Sequence, residues 1–347
     1  MATRSSQTST AHSSEAHPST QWRSARSAAR SLPRNRISMS TKHHLVALVG
    51  PTASGKTAVA IEAARRLGGR VEVVSADSRQ VRREMRIGTA APTEAELAAL
   101  PHHAIASVLP DASYPVVEWL AEARAALDSI WARGGLPLLV GGTGQYVWAL
   151  LEGWSMPVVE PDLALRAEFE ASAHEHGAEA LHARLAALDP VSAARIDARN
   201  IRRVVRALEV VTLTGAPVPA LEPRDPGFTW VAVGLQWERA ALHARADARV
   251  VSMFAAGLVD EARGLAKRYG RAFPALSSIG YREALGVVDG TLTEAEAIRQ
   301  TQIATHRLIR MQAAWFRLDD PRIHWVPGDD IEAAVAAVER AARPPVP

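Results

Sequence analysis

The stretch Gly50-Pro51-Thr52-Ala53-Ser54-Gly55-Lys56-Thr57 constrains this chain more than any other. Two glycines with four residues between them, then Lys and Thr, match the phosphate-binding P-loop. The run before it, Leu45-Val46-Ala47-Leu48-Val49, is short, apolar and branched, as a buried parallel strand requires. The run after it, Ala58 to Leu67, carries helix formers and neither Gly nor Pro. The motif therefore lies between a strand and a helix start, where loop and helix N–H groups can face a phosphate. Lys56 brings a point charge to that phosphate, and the Thr57 hydroxyl is placed to ligate Mg2+. A chance match in a Gly- and Ala-rich chain is the competing reading, and the strand–loop–helix context argues against it. The motif specifies a di- or triphosphate without saying which.

At 347 residues the chain has room for two domains, or for one α/β domain with an insertion. The absence of cysteine excludes disulfides, thiolate zinc sites and cysteine nucleophiles. It asks for no oxidising compartment, and a cytoplasmic protein is expected. No apolar run is long enough to span a membrane. The formal charge of +3 is misleading, because residues 1–42 hold six Arg and one Lys against Glu15 alone. The rest of the chain is then net acidic by three charges, so an argument for nucleic acid must rest on local patches. Residues 1–40 are rich in Ser, Ala and Arg, have almost no aliphatic residues, and are expected to be a disordered basic extension. Three origins are compatible with that composition: a start taken too far upstream, with Met39 the true one, a basic tail, or an organellar transit peptide.

Residues 43–150 alternate strand and helix. Val71 to Val74 is a strand leading into Ser75-Ala76-Asp77-Ser78-Arg79-Gln80, and residues 116–133 form an Ala-rich helix. Leu136 to Val140 is a second buried strand, followed by Gly141-Gly142-Thr143-Gly144 and a helix over Gln145 to Leu151. Short apolar strands alternating with helices predict an α/β fold with a parallel sheet flanked by helices. Ligands bind such sheets at the carboxyl ends of the strands, where the P-loop, Asp77 and Thr143 converge. From Asp162 to Thr214 the pattern is helical, broken at Gly177 and Asp189-Pro190, and reads as an insertion over 158–214. Residues 41–157 and 215–347 then make up the core domain. Phe228 to Gln236 and Arg322 to Val326 read as later strands.

Asp77 follows a buried strand and faces the P-loop. An acid there can hold Mg2+ or act as a general base, and a helix N-cap role is the bland alternative. Arg199, Arg202, Arg203 and Arg206 are spaced to share one helix face, with Asp197 the nearby acid. Such a stripe in an acidic body suits RNA or another polyanion as well as it suits a solvated face. Arg245 and Arg249, one turn apart, offer a fork for a diphosphate, or surface pairs with Glu238 and Asp247. Arg299, His306, Arg310 and Arg317 read as one face of a late amphipathic helix. The histidines show no metal-ligand spacing, and Ser54 lacks the partners of a serine nucleophile.

These blocks together resemble a known family. The P-loop, Ser75 to Gln80, Ile87-Gly88-Thr89-Ala90, Pro101-His102-His103, Gly141 to Tyr146 and Ala149 to Gly153 look like the tRNA dimethylallyltransferases, also called tRNA isopentenyl transferases. Arg206 to Val210, Ile279 to Glu283 and Gln312 to Arg317 follow in the same order, and the resemblance covers about residues 45–326. It implies a P-loop NTPase-like core with a helical tRNA-binding insertion. It also implies transfer of a dimethylallyl group from dimethylallyl diphosphate to N6 of adenosine 37, in tRNAs reading codons that begin with U. The loop Gly50, Pro51, Thr52, Ala53, Ser54, Gly55, Lys56 and Thr57 would cradle the donor's diphosphate with Mg2+ at Thr57, and ATP would not be hydrolysed. Asp77 matches the family's general base, Thr143 a residue close to the reaction centre and tRNA, and Arg245 an arginine gripping the diphosphate. The implied contacts to the anticodon stem-loop map onto Asp77, Ser78, Arg79 and Gln80; onto Arg202, Arg203, Val204, Val205 and Arg206; and onto Ser277, Ser278, Ile279, Gly280, Tyr281 and Arg282. A monomer is implied as well. The sequence departs from the family at Arg82, Glu84, Arg86, Ala91, Ala106, Leu109, Gln145 and Ser277, with Arg82 or Arg86 the candidates to replace a lysine lost at Ala91.

Two other readings use the same loop. A small-metabolite kinase would use Asp77 toward a hydroxyl and would need no insertion with an Arg face. An RNA-binding protein with a relic P-loop would have no reason to keep Lys56, Thr57 and Asp77 together.

Overall fold

The computed structural model describes residues 43–157 and 159–343. The basic extension over residues 1–40, with Met39, lies outside the described residues. Among the described residues, strands β1 (His44–Val49), β2 (Val71–Ala76), β3 (His102–His103), β4 (Leu136–Gly141), β5 (Thr229–Gln236) and β6 (Ile323–Pro327) form one sheet. Its order is β3-β2-β4-β1-β5-β6 and every pairing is parallel.

The sheet is covered on both faces, which is why its strands read as unbroken apolar runs. Successive side chains point to opposite faces, so Leu45, Ala47 and Val49 face one side, against α3 (Val116–Ala132) and α4 (Gly144–Leu151). Val46 and Leu48 face the other, against α1 (Lys56–Leu67) and α13 (Ile331–Ala341). Trp119 of α3 is buried and donates to the Ser75 carbonyl of β2, which satisfies its one polar atom.

The register sets the position of the site. Val49 lies opposite Gly141 and Gly234, and Gly141 lies opposite Ala76. The loops that begin at Gly50, Asp77 and Gly142 therefore leave one edge of the sheet at one level. A Cβ at Gly141 would meet the Ala76 carbonyl at 2.2 Å, so the strands can be this close only with glycine there.

The predicted helical stretch comprises α5 (Leu163–His176), α6 (Ala178–Leu188), α7 (Pro190–Ala193) and α8 (Ile201–Thr214), with α2 (Glu94–Ala99) earlier in the chain. Phe169, Leu181, Leu185, Val204 and Leu208 give α5, α6 and α8 an apolar cluster of their own. Gly177 and Asp189-Pro190 are the expected breaks. Residues 194–200 are a further one, because Asn200 caps α8 by accepting from the Arg203 N–H. The remaining helices are α9 (Arg239–Ala255), α10 (Leu258–Tyr269), α11 (Tyr281–Val288) and α12 (Glu294–Trp315). Arg317 falls beyond the end of α12 and pairs with Asp319, so it does not share a helix face with Arg299 and His306. No helix among the described residues is long and apolar enough to cross a membrane.

Candidate active site

The loop after β1 takes the shape its glycines allow. Gly50 has φ 152° and Gly55 has φ 91°, and Ala53 is held in the left-handed region at φ 62°. Helix α1 starts at Lys56 with no side chain capping it, so its first N–H groups are available to an anion. Lys56 Nζ donates to the carbonyls of Gly50 at 3.0 Å and Pro51 at 2.7 Å. Burial lowers its pKa to about 8, against an upward pull from Asp77 and a downward push from Arg249. Ser54 is buried behind the loop, and its carbonyl accepts from Trp237 Nε1 at 3.0 Å.

This loop forms one wall of a cleft of about 600 Å3. Thr52, Lys56 and Thr57 line it from the P-loop, Asp77, Arg79 and Gln80 from the β2 exit, and Gly142 from the β4 exit. Arg245 and Arg249 of α9 complete it. Arg245 Nε donates to the Ala53 carbonyl at 3.0 Å, and its guanidinium lies 4.5 Å from the Trp237 ring centroid. Among the described residues these arginines pair with neither acid, since Glu238 accepts from the Ala241 N–H and Asp247 from His306. Arg249 is more deeply set, and desolvation lowers its pKa. Four cations, Lys56, Arg79, Arg245 and Arg249, thus face the cleft against Asp77 and Glu96.

Asp77 Oδ1 accepts from the N–H groups of Arg79 at 2.9 Å and Gln80 at 3.3 Å. This fixes the carboxylate and, among the described residues, leaves Oδ2 unclaimed. The N-cap reading does not hold, because the turn after β2 opens no helix. Thr143 stands one residue beyond Gly142. Its N–H donates to the Ala76 carbonyl at 3.0 Å, and its hydroxyl accepts from the Ser78 N–H at 3.0 Å.

A side pocket adjoins the cleft, reached past Arg79 and Arg249, and Ile279 and Gly280 lie on its wall. Ser277, Ser278, Tyr281 and Arg282 of the same segment do not line it. Tyr281 is buried and donates to Glu261 at 2.6 Å. Glu261 in turn accepts from the N–H groups of Arg86, Ile87 and Gly88, so Tyr281 braces the loop over the cleft instead of facing a partner. Arg282 is held by Glu283, and the hydroxyls of Ser277 and Ser278 are spent on local carbonyls.

Arg202 and Arg203 are exposed on α8, and neither guanidinium has a partner among the described residues. Val204 and Val205 are buried in the cluster shared by α5, α6 and α8 and serve packing. Arg206 is tied to the fully buried Glu209, which also receives Arg166 and the Asp162 N–H. Arg199 precedes the helix and pairs with Asp197. The stripe is therefore narrower than its spacing predicts.

Several departures from the family pattern have structural reasons. Arg82 Nη1 donates to the carbonyls of Pro110 and Ala112, both at 2.8 Å, and Arg86 pairs with Glu94. Neither lines the cleft. Glu84 sits at φ 62° and is held by Arg268 and the Tyr269 hydroxyl.

A parallel α/β sheet whose phosphate-binding loop opens into a cationic cleft beside a fixed carboxylate defines a P-loop group-transfer protein. Two family models match the chain, one described as IPP transferase over residues 80–319 and one as isopentenyl transferase over residues 43–105. A tRNA dimethylallyltransferase of Chloroflexus aggregans is 50% identical over 277 residues, spanning 79% of this chain and 93% of that protein. The solved tRNA isopentenylpyrophosphate transferase of Bacillus halodurans is 38% identical with a TM-score of 0.63, over 86% of this chain and 95% of that one. A solved eukaryotic dimethylallyltransferase acting on tRNA shares the fold at a TM-score of 0.67 and 22% identity, over 84% and 75% of the two chains. The chain belongs to the tRNA dimethylallyltransferase, or IPP transferase, family.

Proposed function

We propose that this protein transfers the dimethylallyl group of dimethylallyl diphosphate to N6 of adenosine 37 in tRNAs reading codons that begin with U, giving N6-(dimethylallyl)adenosine. The observation that carries the reading is the seating of Asp77 in the same cleft as the phosphate cradle, its carboxylate half tied and half open. The N6 nitrogen attacks C1 of the donor, the C1–O bond breaks, and the N6 proton passes to Asp77. Diphosphate departs into the loop N–H groups, Lys56 and Arg245, which are already in place as negative charge develops on it. The adenine must leave the anticodon-loop stack to reach the cleft.

Mg2+ fits the residues present. No group of three or more His, Asp or Glu among the described residues could hold a metal. Thr57 faces the cleft where a diphosphate would supply the other oxygens, the donor-poor setting in which Mg2+ is held largely by substrate. When bound, it neutralises charge on the diphosphate. Exposed Arg202 and Arg203 offer contacts for the phosphates of the anticodon stem. A monomeric, cytoplasmic enzyme suits this reading. The kinase reading of the same loop draws no support from the relatives.

The test is a donor assay. Protein, unmodified tRNA, Mg2+ and dimethylallyl diphosphate are incubated beside a sample with ATP alone, and the digested RNA is examined by mass spectrometry. Isopentenyladenosine without ATP turnover is expected. ATP consumption without an RNA product would return the site to the kinase reading.

A further inference from the structure

Gln312 is three residues from the C-terminal end of α12, far in sequence from every group in the cleft it lines. Its carboxamide makes two hydrogen bonds, both to main chain. Oε1 accepts from the Thr52 N–H at 2.8 Å, and Nε2 donates to the Gly142 carbonyl at 3.0 Å. Thr52 belongs to the phosphate loop, and Gly142 precedes Thr143. Both partners have fixed polarity, so only one orientation of the amide satisfies them.

The two loops part company after the last register pair, Val49 opposite Gly141. Beyond that pair, Gln312 is the hydrogen-bonded bridge between them among the described residues. Space has been left for it. A Cβ at Gly142 would lie 2.5 Å from Gln312 Nε2 and 3.0 Å from the Gly50 carbonyl. Gly142 is not in the left-handed region, so close approach alone requires glycine there.

We infer that Gln312 is a positioning residue that sets the separation between the phosphate cradle and the Asp77–Thr143 edge. The inference rests on the transfer reading above. Through Thr52 it orders the loop that receives diphosphate. Through Gly142 it places Thr143, which brackets Asp77. Loss of the bridge leaves each half intact but lets their spacing drift, and a drift of about 1 Å between reacting groups costs about a hundredfold in rate. The effect belongs in the chemical step, with little change in affinity for either substrate.

The test uses Gln312→Met, of similar length without hydrogen bonds, and Gln312→Glu, which keeps the acceptor for Thr52 but turns an oxygen toward the Gly142 carbonyl. Gly142→Ala attacks the same contact from the opposite side. Single-turnover rates at saturating tRNA and dimethylallyl diphosphate are measured with the Kd of inorganic pyrophosphate in Mg2+ and the Kd of tRNA. The expected result is a rate about tenfold to a hundredfold lower in each variant that folds, with both Kd values within about threefold of wild type. An unchanged single-turnover rate overturns the inference. So does a rate that recovers fully at saturation while pyrophosphate binding weakens more than tenfold, because Gln312 would then only shape the cradle. Failure of all three variants to fold would also overturn it, by making the bridge a folding requirement. Absence of product from the wild-type protein would instead strike at the transfer reading.

Discussion

Thr143 holds Ser78 by its backbone N–H, which donates to the Thr143 hydroxyl at 3.0 Å, while the N–H of Thr143 donates to the Ala76 carbonyl. The two bonds bracket Asp77 between its chain neighbours, so the carboxylate is aimed from the neighbouring strand as well as from its own turn. Thr143→Val keeps the shape and removes the hydroxyl. It should lower the saturated rate by about tenfold or more through misplacement of Asp77. Thr143→Ser keeps the hydroxyl and should stay within about threefold of wild type. Equal rates for the two variants would show that the hydroxyl does not position the carboxylate.

Asp77→Asn preserves the oxygen that accepts from the N–H groups of Arg79 and Gln80, so the turn should keep its shape. It removes the proton acceptor. The transfer rate should fall by about a hundredfold to ten-thousandfold, while gel-shift affinity for tRNA stays within about twofold. A rate within threefold of wild type would take the base role from Asp77.

What could be read from the sequence was whatever is encoded locally. The P-loop, the strand before it and the acid after β2 each carry their signal within a few residues, and the parallel sheet brings such strand ends together. Arg245 and Arg249 were legible as a pair, but not their partners, since the Ala53 carbonyl that receives Arg245 is 192 residues away. Gln312 has no local signature, because its partners lie 260 and 170 residues away and helical spacing says nothing about a single amide. The arginine stripe is narrower than its spacing predicts for a physical reason. Spacing extends a helix through Arg199, while Asn200 is an N-cap that starts it afresh. Val204 and Val205 fell within an implied contact segment, yet the apolar side of the same helix buries them.

Lys56 gives diphosphate binding a pH dependence of defined sign. Its pKa, lowered to about 8 without ligand, rises when an anion enters, so the ammonium form binds best. Affinity attributable to Lys56 is flat below pH 8 and weakens above it, by up to about tenfold per pH unit. Pyrophosphate titrates too, so the quantity to measure by calorimetry is the difference between wild type and Lys56→Met. The effect on stability runs the other way. Between about 8 and the ordinary lysine value of 10.5 the unfolded chain binds more protons than the folded one, and the contribution of this group to stability rises with pH. A difference curve that is flat from pH 7 to pH 9.5 would show that Lys56 is not the titrating contact.

Arg202, Arg203 and Arg206 lie within two turns of α8 but should respond differently to removal. Arg202 and Arg203 are exposed and spend no charge within the described chain, so changing both to Ala should move stability by no more than about 0.5 kcal/mol. If they meet phosphates of the anticodon stem, the same change should weaken tRNA binding and reduce its slope against log salt by roughly 1.5. Arg206 shares the buried Glu209 with Arg166. Arg206→Ala leaves that carboxylate one partner short and should cost about 1–3 kcal/mol, seen as a lower melting temperature with the salt slope kept by the protein that remains folded. Salt titrations of tRNA binding and thermal melts of the two variants separate the roles. A salt slope unchanged in the double variant would place the RNA footprint off α8. A melting temperature unchanged in Arg206→Ala would mean that Arg166 and the Asp162 N–H suffice to hold Glu209, leaving Arg206 available to RNA after all.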